Sequence, residues 1–241
     1  CAALRGCRRG SGKNHLQSEG WNAGVKQYTA RRLIAVFLGN ILIGIGVAIF
    51  RMTLLGNDPS TAFVLSVAAK AGMELAPMLW ICGAAWFVLE LIWGRKFIGL
   101  GTFVNWFLLG VVADGVTWVL NHLFTVPEAF LPRFLIMLLT LPVVSLGVSL
   151  YQSSELGASP YDSLALILDD RFPQIPYFWC RIAVDGTATL LAWLLGGIVG
   201  LGTLACALCL GPFVHFFNQH VSEPFCRVEK SAPAEAAGAE S

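Results

Sequence analysis

Charge is scarce in this sequence. Only 16 Lys and Arg and 15 Asp and Glu occur among 241 residues, leaving a formal net charge of +1. So small a balance gives neither the basic field that marks a nucleic-acid binder nor an acidic field for cationic partners. Histidine is rarer still, at 4 residues, none of them in a metal-ligand spacing. H-E-x-x-H, G-x-S-x-G and the P-loop are missing as well. These absences predict a protein that is not an enzyme, with no catalytic residue, cofactor or metal. Residues 1–30 lack the apolar run of a signal peptide, and Cys1 lacks the upstream context in which a lipid-attachment pattern is read. The chain does not open on Met, as expected of a fragment, a processed product or a misplaced start.

What the chain has in abundance is hydrocarbon. Apolar residues make up 56% of it and the mean hydropathy is +0.68, far outside the range of soluble domains. A bilayer core about 30 Å thick needs roughly 20 mainly apolar residues per spanning helix. Stretches at about 33–51, 76–93, 97–120, 133–151, 177–197 and 199–219 meet that need, so the sequence predicts an all-α membrane protein with six spans. The basic head over residues 1–30 and the Ala/Glu-rich tail over 222–241 read as disordered.

The cysteines are Cys1, Cys7, Cys82, Cys180, Cys206, Cys209 and Cys226. Cys206 and Cys209 form a C-x-x-C on one helix face, which fits redox or metal chemistry in principle. Inside an apolar helix they read instead as small packing residues.

The chain repeats itself. Shifted by 101 positions, LGNDP at 55–59 falls on LGASP at 156–160, Gly46-Val47 on Gly147-Val148, GLGT at 99–102 on GLGT at 200–203, and Gly110 on Gly211. Ordered, gap-free matches of this kind imply an internal duplication, over 31–124 and 125–221. Each copy holds three spans, an odd number, so the second must enter the bilayer from the opposite face. The expectation is therefore two inverted three-helix repeats. Lys and Arg agree: the head, Arg95-Lys96, Arg171, and Arg227 with Lys230 fall on one side, which places both termini in the cytoplasm.

The duplicated L-G-x-x-P has the chemistry of a helix start. Asp58 and Ser159 are N-cap residues, Pro59 and Pro160 suit the first helical position, and Asp162 stands where it could close a capping box with Ser159. The apolar runs that follow, 62–69 and 164–168, are too short to span. They predict short helices that are either interfacial or re-entrant. In the second case their positive N-terminal ends would meet near the midplane, as in transporters built from inverted repeats. Asp58, Ser60, Ser159, Tyr161 and Asp162 are the candidate solute-binding residues on these turns. The GLGT segments, whose Thr102 and Thr203 suit helix starts, and Gly39, Gly44, Gly46, Gly110, Gly147, Gly196 and Gly197 point to close helix packing.

Ionisable side chains inside apolar spans cost about 2.5 to 3.5 kcal/mol each at the centre, so each needs a partner or water. Arg181 and Asp185 are four apart and can pair on one helix face, as a structural ion pair or as part of a solute or proton site. Asp114 and His215 occupy equivalent positions of the two copies and are candidates for proton or ion coupling, or for snorkelling to the two interfaces. Glu90 and His220 lie near helix ends and are expected to snorkel. Asn40 and Asn105 are expected to hydrogen-bond between helices.

GVAIF before LGNDPST, GVSLY before LGASPYDSL, and the R-x-x-x-D of Arg181 and Asp185 ahead of LLGGIVGLGT and LGPFVHFF resemble the YczE/YyaS/YitT group of bacterial integral membrane proteins. The resemblance covers about residues 33–220. It implies a multi-pass protein of the bacterial inner membrane and no particular chemistry. On the residues themselves, the leading expectation is a small secondary transporter or permease with a site between the repeats, in contact with lipid and taking a small polar or anionic solute. The alternative is a non-transporting regulator or scaffold that supports a biosynthetic or export complex, as a homo-oligomer or with a membrane partner.

Overall fold

The computed structural model describes residues 30–124, 128–175 and 177–226, and the regular structure within them is helical. In chain order the helices are α1 (Ala30–Thr53), α2 (Pro59–Ala71), α3 (Leu75–Trp93), α4 (Leu100–Leu123), α5 (Phe130–Ser153), α6 (Asp162–Arg171), α7 (Tyr177–Leu194) and α8 (Leu201–Phe217). A π turn over Asn218–Ser222 leads from α8 into a short α9 (Glu223–Cys226). The tail is thus helical as far as Cys226, which is buried against Ala35 and Leu150. This corrects the reading of disorder from residue 222. The basic head up to residue 29, with Cys1 and Cys7, and the tail from residue 227 lie outside the described residues.

Among the described residues, five helices are long and apolar enough to cross a membrane: α1, α3, α4, α5, and the α8 helix continued to Cys226. The expected fifth span forms α7, but it stops at Leu194 and is not among those five. Arg181 and Asp185 depress its apolarity. Large apolar side chains point outward over much of the surface, with Leu139 74% and Trp118 64% exposed. Such an exterior suits hydrocarbon rather than water.

The centre of the bundle is the crossing of α1 and α5, and small residues set how close it is. A Cβ on Gly39 would stand 2.6 Å from the Gly147 carbonyl oxygen, and one on Gly46 would stand 2.0 Å from Val144 Cγ2. Only glycine lets the two backbones approach this far. Gly44 against Val112 and Gly110 against Ala76 do the same for the α1–α4 and α3–α4 contacts. Gly196 differs: it adopts φ +78° in the turn after α7, with open space around it, so its role is conformational rather than packing. Asn105 Nδ2 donates to Asn40 Oδ1 at 2.7 Å between α4 and α1, as expected. Cys206 and Cys209 are free thiols packed with Phe50, Met137, Leu141 and Val144.

Candidate functional site

The two L-G-x-x-P turns fold alike. After α1, Leu54 and Gly56 take φ +56° and +112°, and after α5 Glu155 and Gly157 take +54° and +137°. These left-handed steps reverse the chain, which explains the glycine at the second step of each turn. Thr53 and Ser154 each donate a hydroxyl back to the helix they end, at the carbonyls of Phe50 and Tyr151. Each turn is then clasped from outside: the Gly202 amide donates to the Leu55 carbonyl at 2.8 Å, and the Gly101 amide to the Leu156 carbonyl at 3.0 Å.

The turns start α2 and α6. Asp58 Oδ2 accepts from the Thr61 amide at 3.1 Å, and Ser159 Oγ from the Asp162 amide at 3.0 Å. The Asp58 cap forms as the sequence predicts, with Pro59 first in the helix, whereas α6 starts two residues later than expected, at Asp162, and Ser159 bonds to its first amide from the turn before it. The capping box does not close, because the Asp162 carboxylate turns to Arg181 instead. Thr102 Oγ1 accepts from the Gly99 amide at 3.1 Å at the start of α4. Its counterpart Thr203 is buried, and its hydroxyl has no hydrogen-bond partner among the described residues.

Arg181 on α7 gathers the candidate residues. Its Nη1 donates to Asp162 Oδ1 and its Nε to Asp185 Oδ2 at 2.9 Å, while its guanidinium stands 5.5 Å from the centroid of the Tyr161 ring. The Tyr161 hydroxyl donates to Asp185 Oδ1 at 2.7 Å. Asp58 caps α2, which packs against α7, but no hydrogen bond or ion pair joins Asp58 to this group among the described residues. The structure therefore brings together Tyr161, Asp162, Arg181 and Asp185, with Ser159 beside them as the cap. Ser60 sits in the first turn of α2, and no hydrogen bond ties it to this group among the described residues.

Other residues join that sequence reading did not assign to the site. Trp86 of α3 packs edge-on against Tyr161 at 5.1 Å between ring centroids. Tyr151, at the end of α5, is buried close to Ser159, Asp162 and Glu90. Glu90 is itself fully buried. This overturns the expectation that it snorkels: α3 packs that face of its last turns inward, towards α6. Only the position of Tyr151, five residues before the second turn motif, hinted at its place here.

Asp114 and His215 go to different places. Asp114 Oδ1 pairs with Arg51 Nη1 at 2.5 Å, and its Oδ2 accepts from the Ala76 amide at 2.6 Å, capping α3. The carboxylate therefore neutralises a cation and a helix terminus rather than reaching for an interface. His215 is exposed on α8, with Nε2 3.1 Å from Gln219 Nε2. His220 is exposed and stacks on Phe216.

The apolar helices and their outward-facing side chains define an integral membrane protein. The match is specific: residues 30–219 fit the model of the family described as "Family of unknown function (DUF6198)", and the chain belongs to it. The "Uncharacterized membrane protein YczE" of Bacillus subtilis (strain 168) is 28% identical over 193 residues, 80% of this chain and 87% of that protein. An "Uncharacterized protein" of Haemophilus influenzae is 28% identical over 178 residues, 73% of this chain and 78% of its own length. The "Uncharacterized protein YyaS" of Bacillus subtilis is 22% identical over 188 residues, covering 78% and 92%. No solved structure matches the chain. The YczE and YyaS relatives agree with the resemblance read from the turn motifs.

Proposed function

We propose that the protein is a small secondary transporter of six spans, α7 included, arranged as two inverted three-helix repeats with the termini in the cytoplasm of a bacterial cell. The observation that carries this reading is the start of α6, where Tyr161 and Asp162 engage Arg181 and Asp185 of α7, with α2, capped by Asp58, packed against the same α7. Structural contacts repeated at the 101-residue shift support the symmetry. The Gly202–Leu55 and Gly101–Leu156 bonds exchange under it, as do the two caps and the two pairs of positive-φ residues. In this arrangement α2 and α6 are re-entrant. Their partial positive N-terminal ends would then face a shared polar centre, as interrupted helices do where they are tolerated at membrane depth.

Electrostatics sharpens the proposal. Asp58, Asp162 and Asp185 outnumber Arg181, and two helix termini add only about half a positive charge each. Buried Glu90 lies on the same side of the balance. An acid excess of this kind suits binding of a proton or a small cation along with the solute, so coupling belongs here in preference to Asp114 or His215. Flux of a panel of organic anions, amino acids and protons into proteoliposomes tests the reading. Transport that R181Q and D185N abolish while both proteins still insert supports it. Absence of flux across the panel favours a regulator or scaffold.

A further inference from the structure

The two halves differ at one pair of matching clefts. Between the end of α1, α2 and the α7–α8 turn lies a cavity of about 520 Å³, lined by Arg51, Asn57, Ser66, Lys70, Gly197 and Ile198 among others. No acidic residue is in its wall among the described residues. Arg51 is engaged by Asp114 and Glu74, whereas Lys70, exposed at the rim, makes no ion pair among the described residues. Asn57 is 3% exposed, and its Oδ1 has no hydrogen-bond partner among the described residues. A buried amide without a protein partner is costly unless something that enters the cavity bonds to it.

The matching cleft of the other half is filled. Where the first half has Ser66, the second has Ile167, whose Cδ1 lies 2.8 Å from where a Cβ on Gly94 would stand. Where the first has Ile198, 56% exposed, the second has Phe97, 3% exposed. Where the first has Gly197 and Ala69, the second has Lys96 and Asp170, paired at 2.6 Å. One cleft is open with a cationic rim, and its twin is plugged and latched.

We propose that the open cavity is the solute's entrance, admitting between Lys70 and Asn57 Oδ1 an anion that also carries a hydroxyl or N–H donor, and that the Lys96–Asp170 pair over Ile167 and Phe97 closes the opposite exit. This rests on the transport reading and adds to it the access state of the molecule and the sign of the solute. Lys70 supplies the attraction, Asn57 Oδ1 accepts an orienting hydrogen bond from the solute's own hydroxyl or N–H, and the apolar wall tolerates an organic body. Exchange of the two clefts, by breaking the latch and collapsing the cavity, turns the entrance state into the exit state.

Charged methanethiosulfonates test both halves of the idea without knowledge of the solute. In sealed vesicles, Leu65→Cys in the cavity wall is labelled from the face where α1 ends. The sulfonatoethyl reagent labels it about tenfold faster than the trimethylammonioethyl reagent, after correction for their rates with a free thiol and for labelling of the parent chain. K70Q removes that preference. Ile167→Cys is protected, and D170N or K96Q makes it reactive from the other face. Ala69→Cys serves as the cavity probe if Leu65→Cys does not fold. Equal rates for the two reagents, no labelling of either cavity probe, or an Ile167→Cys rate indifferent to the latch variants overturns the proposal. If the labelling pattern holds and no solute is moved, the entrance stands as a binding site and the transport reading falls.

Discussion

Gly202 clasps Leu55 through its amide at 2.8 Å, binding the start of α8 to the turn that ends α1. The same bond joins Gly101 to Leu156 at 3.0 Å. Each clasp needs a glycine on the opposite side too. A Cβ on Gly56 would lie 2.5 Å from Thr203 Oγ1, and one on Gly157 would lie 2.8 Å from the Gly99 nitrogen, both at a φ that side chains disfavour. Gly56→Ala and Gly157→Ala should therefore each destabilise the protein by about 2 to 3 kcal/mol, read as a lowered midpoint of thermal unfolding in detergent. Gly211→Ala, with open space at its Cβ, should leave the midpoint unchanged.

The Asp114 carboxylate has two tasks, and two substitutions separate them. Asparagine at this position keeps an oxygen for the Ala76 amide but loses the charge facing Arg51. Alanine loses both. D114A should cost about 1 kcal/mol more than D114N, the usual worth of a helix cap. Equal losses would mean that the cap contributes nothing.

Asn40 and Asn105 form the interhelical bond that the sequence predicted, and pairs of this kind are worth about 0.6 kcal/mol, up to roughly 1.7, in a membrane. N105L should lie in that range, since it leaves the Asn40 oxygen without its donor. Replacing both residues with Leu should cost less than the two single losses added together. Additive losses would refute the pairing.

Around Arg181 the losses should be unequal. R181Q strands Asp162 and Asp185 together, whereas D185N leaves Arg181 paired with Asp162. R181Q is expected to cost about 1 to 3 kcal/mol, below the full range for a buried pair because these side chains are partly exposed, and D185N less than half of that, by unfolding in detergent. A larger loss for D185N would contradict this arrangement of charges.

Much of this was legible because small and cap-forming residues have few uses in an apolar chain. L-G-x-x-P fixed both turns and both caps, and glycine spacing marked the α1–α5 crossing. Tertiary charge pairing was not legible. Asp162 looked like a capping-box partner because Ser159 lies three residues before it, and nothing local shows that a guanidinium nineteen residues further along takes it instead. Glu90 was read as snorkelling from its place near a helix end, since position along a helix says nothing about which face its neighbours cover. The span at α7 was read too long because the apolar run continues past the glycine turn at Gly196. The unequal clefts escaped the sequence for a related reason: an internal repeat emphasises what the copies share, whereas the clefts are set by positions where they differ, such as Ser66 and Ile167.

The central claim is that α2 and α6 dip into the bilayer from opposite faces and meet at Arg181. Their outer ends carry Lys70 and Arg171, both exposed, so Lys70→Cys and Arg171→Cys are mild substitutions. With an impermeant thiol reagent applied to one side of oriented vesicles at a time, the account predicts that Lys70→Cys is labelled from one face only and Arg171→Cys from the other only. Labelling of both from the same face would contradict it.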